Sequence, residues 1–190
     1  MQRSAPAPEQ ILDAALAALR SDRSAAHEAL DALPAAVYVT DVEGRVTYFN
    51  EACVDFAGRR PVLGEDRWCV TWRLYTDDGD FLPHDQCPMA VAVRERRPVR
   101  GVEAVAERPD GTRRNFQPFP TPLFDADGLF TGAVNLLVDI SDRKRSEYLA
   151  DQAKRCRRLA DTIGDKHTVA TLKRMADEYD ARAGEIERPN

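Results

Sequence analysis

Gly132-Ala133-Val134-Asn135-Leu136-Leu137-Val138-Asp139-Ile140-Ser141-Asp142-Arg143-Lys144 decides the fold. The apolar run begins at Leu129 and reads as one strand to Ile140; from Ser141 a helical pattern takes over, with Ser141 placed to cap it. Asp125-Ala126-Asp127-Gly128, just before, is turn chemistry and makes the strand the second arm of a hairpin. Asp139 stands at the junction, where its carboxylate can accept from the new helix or pair with Arg143.

Working towards the N-terminus, Thr112–Phe124 reads as a long strand in two parts, kinked by Pro118, Pro120 and Pro122. Val99–Glu107 is a further strand, turning at Pro109-Asp110-Gly111. A helix over about 85–96, stopped by Pro98, presents Met89 and Val93 on one face. Residues 58–83 read as irregular, punctuated by Pro61, Gly64, Gly79 and Pro83, and hold Trp68, Trp72 and Tyr75. Earlier still, Ala35–Thr40 and Val46–Asn50 flank a Gly44 turn as a hairpin, and Asn50 caps a short helix to Ala57. Residues 9–33 are helical, with Ile11, Leu12, Ala15, Leu16 and Leu19 as one apolar stripe, a break at Ser21–Ser24, and a second helix capped by Ser24 and ended by Pro34. Such stripes need a core or a second subunit to cover them.

The order strand-strand-helix-loop-helix-strand-strand-strand-helix predicts an α+β fold: a five-stranded antiparallel sheet with helices on one face. The expected organisation is an N-terminal helical flank over 1–33, one domain over 34–142 and a helical extension over 143–190. In the extension, Leu159, Ile163, Leu172, Met175, Ala176 and Tyr179 give two helices an apolar stripe, as in a helical hairpin or a coiled-coil dimerisation element.

Composition narrows the function. The chain has 190 residues, 43% hydrophobic and 31% charged, with a net charge of −5. That balance argues against nucleic acid as the main partner, although 143–158 is locally basic. No apolar run reaches membrane-span length and no secretory signal opens the chain, so the expected location is cytoplasmic. Cys53, Cys69, Cys87 and Cys156 have neither zinc nor disulfide spacing and read as reduced, buried thiols. His27, His84 and His167 lie in three separate regions, and neither a nucleophile elbow nor a phosphate loop occurs, so no enzyme is expected.

Four pieces in order carry a family resemblance: Leu30–Asp41; Asp41–Asn50 with Glu51-Ala52, which fits D-x-x-G-x-I-x-x-x-N-x-A with Val46 in the Ile place; the Asp110-Gly111 turn; and Gly132–Lys144 with its Asp139-Ile140-Ser141-Asp142-Arg143-Lys144 exit. Together they resemble the PAS family over about 110 residues. The resemblance implies a sensor or adaptor that holds a small molecule or protein partner between sheet and helices. It would signal through its flanking helices to a separate effector such as a histidine kinase, as in two-component systems. The leucine-rich helices on both sides of the domain favour a homodimer, and a structural dimerisation module with a filled core is the alternative to a sensor.

The family's pocket face on the last strand would carry Ala133, Asn135 and Leu137, with Asn135 either orienting a ligand or held by backbone; Phe116, Met89, Val93 and Trp72 would complete the wall. Asp139, Ser141 and Arg143 would couple sheet to helix. The flavin-binding branch carries an Asn-Cys-Arg-Phe-Leu-Gln run that this chain lacks, which argues against flavin. Haem would draw on His84 or Cys87, with Met89 near. Residues 142–190 are too short for an ATP-binding kinase domain, and His167, followed by Thr168, does not match a phosphoacceptor histidine.

Overall fold

The computed structural model describes residues 7–19 and 23–188, and the chain forms two compact units, Met1–Asp139 and Ile140–Asn190. In the first, α1 (Pro8–Ala18) and α2 (Arg23–Asp31) precede β1 (Ala36–Thr40), β2 (Val46–Phe49) and α3 (Glu51–Ala57). After these come β3 (Arg73–Thr76), a 3₁₀ turn (His84–Gln86), α4 (Pro88–Glu95), β4 (Ala104–Glu107), β5 (Arg113–Pro118), β6 (Thr121–Phe124) and β7 (Phe130–Asp139). Of the break expected at Ser21–Ser24, Ser21 and Asp22 lie outside the described residues, whereas Arg23 and Ser24 are already helical, α2 starting one residue before the expected cap.

Among the described residues the sheet has seven antiparallel strands, where five were expected. Its order is β2-β1-β7-β5-β4-β3, with β6 also paired to β7. One extra strand is β3, an edge piece inside the stretch read as irregular. The other arises because Pro118-Phe119-Pro120 breaks the long strand into β5 and β6. Both halves pair with β7, Pro118 opposite Leu137 and Pro122 opposite Ala133.

Strand alternation sorts side chains to two faces. On the inner face Ala36, Tyr38, Phe116, Ala133 and Leu137 pack against Cys53 and Phe56 of α3 and Met89, Ala90 and Val93 of α4. On the outer face Val37, Val134 and Leu136 are covered by Leu12, Ala15 and Ala18 of α1 and Leu30 of α2. Helices therefore lie on both faces, and the N-terminal stripe finds its cover in its own sheet.

Two local devices hold the strands in place. Gly132 (φ +141°) brings β7 so close to β1 that an added Cβ would sit 1.9 Å from the Thr40 carbonyl oxygen. Asn50, 1% exposed, uses its whole amide: Oδ1 accepts from Val37 N (3.0 Å) and Cys53 N (3.3 Å), and Nδ2 donates to Leu30 O (3.1 Å) and Ala35 O (2.9 Å). One side chain thus caps α3 and ties it to β1 and to the end of α2.

The second unit is a hairpin of α5 (Ser141–Thr162) and α6 (Lys166–Ile186). Ala153, Cys156 and Ala176 pack at its centre with Leu172 and Tyr179 beside them. Asp165 caps α6 by accepting from Thr168 N at 2.8 Å, and Arg157 pairs with Asp180 at 2.6 Å. Leu159, Ile163 and Met175 stay exposed within this unit.

Candidate functional site

A short chain of hydrogen bonds crosses the inner core. Asn135 of β7 stands opposite Tyr38 of β1 in register, and its Nδ2 donates to the Tyr38 hydroxyl at 3.0 Å. Tyr38 donates in turn to the Trp68 carbonyl at 2.8 Å, and Asn135 Oδ1 accepts from Phe119 N at 3.0 Å. Tyr38 is fully buried and Asn135 is 2% exposed, so these bonds lie in a low dielectric where each polar group needs its partner.

Burial, and then Cys69 and Cys87 close by, push the Tyr38 phenol well above its ordinary value, so it stays a neutral donor. The Cys87 thiol also points at the Trp68 carbonyl, 3.8 Å away. Burial raises the Cys53 and Cys69 thiols and pushes Cys87 up to about 12, so all three are held protonated. In that protonated form they are not nucleophiles. Among the described residues no cluster of three or more His, Cys, Asp or Glu side chains is placed to hold a metal ion.

Trp68 has a positive φ of 67°, and its ring lies on Gly44, where a Cβ would come within 2.1 Å of ring carbons. The β1–β2 turn and the loop carrying Trp68 are therefore locked together, and Trp68 N donates to Gly44 O at 2.8 Å.

Of the residues expected to form the pocket wall, Met89, Val93, Phe116, Asn135 and Leu137 come together in this core, each at most 5% exposed. Phe116 meets Phe56 edge-on at 5.4 Å between centroids. Trp72 does not join them. It is 42% exposed, with the Arg73 guanidinium carbon 4.1 Å from its ring centroid, because the β3 edge begins there and turns it outward. The sequence reading missed Tyr38 and the Trp68 carbonyl. A hydroxyl in the otherwise apolar β1 run was the available signal for the first; a backbone carbonyl gives none.

His84 lies in the 3₁₀ turn, and its Nε2 is buried without a hydrogen-bond partner among the described residues. Burial lowers its pKa below 6.5, with Asp66 and Asp85 working the other way. Its imidazole is thus the neutral, ligand-competent form, whereas Cys87 is turned into the core.

At the exit, Asp139 pairs with Arg114 of β5 and Arg143 with Glu147 at 3.1 Å. The helix begins at Ser141 itself, so the N-cap position falls on Ile140, which brings no capping side chain. The capping role expected of Ser141 is corrected accordingly, because the residue is already inside the first turn. The Arg114–Asp139 pair borders a cleft of about 430 Å³ floored by Ile11, Ala36, Phe56 and Leu137, with Asp55 on its wall. Among the described residues no helix is long and apolar enough to cross a membrane.

The family model described as the PAS fold matches residues 30–145. Among solved structures, the LOV domain of a blue-light activated histidine kinase from Erythrobacter litoralis is 21% identical, with a TM-score of 0.45, covering 57% of this chain and 98% of its own. The PAS domain of BvgS from Bordetella pertussis is 20% identical, with a TM-score of 0.40 and coverages of 62% and 84%. A Rhodobacter sphaeroides LOV protein is 12% identical, with a TM-score of 0.43 and coverages of 97% and 100%. No curated protein sequence matches the chain.

Proposed function

Because the chain belongs to the PAS fold family, we propose that it is a non-catalytic sensor or adaptor that passes a change in its core through β7 and α5 to a separate effector. One observation carries this reading. The strand holding Asn135, the polar group at the centre of the core, runs to Asp139 and gives way to α5 after a single residue, Ile140. A change in the Asn135–Tyr38 bond therefore has a short covalent route to the outgoing helix.

In this reading the signal is a small molecule or a protein partner engaging the inner core, and the effector is of the histidine-kinase class. Self-association runs through the hairpin, whose Leu159, Ile163 and Met175 are exposed while α1 and α2 are already covered.

The test is amide hydrogen exchange along α5 in the wild type and in Tyr38→Phe. The reading expects protection over 141–150 to change by about tenfold, with α6 unaffected. Unchanged protection in a folded variant would sink it.

A second reading rests on the unpartnered His84 Nε2: a haem iron bound there. Haem would supply a redox-active, gas-binding iron, and the chain would contribute the neutral imidazole. Freshly purified protein should then show a haem absorption band that His84→Ala removes; protein that stays without that band after incubation with haem excludes it.

A further inference from the structure

A groove of about 440 Å³ lies on the first unit at the C-terminal end of α4, away from the Arg114–Asp139 cleft. Its floor and walls are Trp68, Val93, Phe130, Val42 and Leu129, and its rim carries Arg94 and Arg96. No acidic residue lines it.

The two arginines differ from most others on this domain, although Arg67, Arg100 and Arg108 likewise bond to carbonyls or a hydroxyl. Arg45, Arg59, Arg60, Arg73, Arg97, Arg113 and Arg114 each pair with a carboxylate. Arg94 gives its hydrogen bond to the Asp85 carbonyl at 2.6 Å instead. Arg96, held left-handed at φ 50° where glycine is usual, places its guanidinium carbon 5.4 Å from the Phe130 ring centroid. Neither has a carboxylate partner among the described residues. A basic residue at a helix C-terminus commonly just balances the macrodipole. Arg96 instead lies over an aromatic ring on the groove wall, with its fork available for an anion.

Around the groove, Leu129 is 68% exposed and Val42 50%, so apolar surface lies uncovered beside the positive rim. The volume is that of a small-ligand site. We infer that this groove binds a small amphipathic anion, its apolar body on Trp68, Val93, Phe130 and Leu129 and its carboxylate or phosphate head on Arg94 and Arg96. Guanidinium forks suit both heads, and the apolar floor selects against the bare ions.

Occupancy would be felt inside. The groove wall residue Trp68 supplies the carbonyl that takes the Tyr38 hydroxyl. The site nevertheless stands independently of what the core senses.

Trp68 is also the reporter. In Trp72→Phe it is the sole tryptophan, so its fluorescence can be titrated with decanoate, decyl phosphate, decanol and acetate. The inference expects saturable changes with decanoate or decyl phosphate at Kd below about 1 mM, and binding weaker by at least about tenfold for decanol and acetate. Saturation by decanoate alone identifies a carboxylate head, and by decyl phosphate alone a phosphate head. Adding Arg94→Gln and Arg96→Gln should weaken anion binding by about tenfold or more at an unchanged melting temperature, and Arg97→Gln should leave it alone. Equal affinity for decanol, no saturation by either anion, or indifference to the double substitution would each overturn the assignment. So would saturation only by an acidic, leucine-rich peptide, which would make the groove a protein-docking surface.

Discussion

Asn135 and Tyr38 are direct cross-strand partners whose side chains bond to each other at 3.0 Å inside the core. Their single substitutions are not equivalent. Tyr38→Phe leaves the Asn135 amide nitrogen buried without an acceptor and should cost about 1–3 kcal/mol. Asn135→Leu strands less, since the Tyr38 hydroxyl keeps the Trp68 carbonyl and Phe119 N keeps Leu136 O at 2.9 Å. With both changed, no orphaned amide is left, so the double variant should fall short of additivity by about 0.5–1.5 kcal/mol. Urea unfolding of the four proteins reads the cycle; additive costs would mean that the bond contributes nothing.

Asn50 is predicted to be the most sensitive polar position. Asn50→Ala takes the partner from Val37 N and Ala35 O, while Cys53 N keeps Asn50 O at 3.0 Å and Leu30 O keeps Leu33 N at 3.2 Å, and the expected loss is about 2–3 kcal/mol. Asn50→Asp keeps the acceptor oxygen but sets a carboxylate against the Leu30 and Ala35 carbonyls, so it should rescue little. A midpoint for Asn50→Asp close to wild type would show that the two carbonyl contacts are dispensable.

The difference between these residues in the sequence is instructive. Asn50 announced itself, because an asparagine closing a strand before an apolar helix has few other uses, and the cap was expected. Its tie back to Leu30 was not, since long-range carbonyl partners leave no local pattern. Asn135 was legible by counting in twos from Asp139, which placed it beside Ala133 and Leu137. Strand β3 was hidden because Arg73-Leu74-Tyr75-Thr76 is four residues long between turn-forming segments, and edge pairing with β4 decides it. The second layer of helices was hidden for a related reason. An amphipathic stripe says that something must cover it, and only the outer apolar face of β1 and β7 identifies what. The nearly continuous apolar run of β7 held that hint, since a strand buried on both faces loses its alternation.

Arg114 and Asp139 form an ion pair with side chains 41% and 33% exposed, so solvent screens it. Arg114→Gln should therefore change stability by under about 1 kcal/mol, less still at high salt. If this pair matters to the protein, the effect should appear in exchange at the start of α5 and not in the urea midpoint. A loss above about 2 kcal/mol would show instead that the pair is a structural clamp.

His84 gives the chain a pH dependence with a defined sign. Burial holds the folded-state pKa below 6.5, so between that lowered value and 6.5 the unfolded chain carries a proton that the folded one does not. Stability from this group is fully present above about pH 6.5 and is lost as the pH falls below it, levelling off only once the folded imidazole also titrates. The nearby Asp66 opposes the shift, but it is already paired with Arg59 at 2.8 Å, which limits its pull on His84. Melting temperatures measured from about pH 7.5 to 5 should decline for the wild type. His84→Gln, which fills similar space without titrating, should flatten that decline. An equal slope in the variant would place the acid sensitivity elsewhere. A wild-type stability that rises on acidification would mean that His84 gains a partner when protonated.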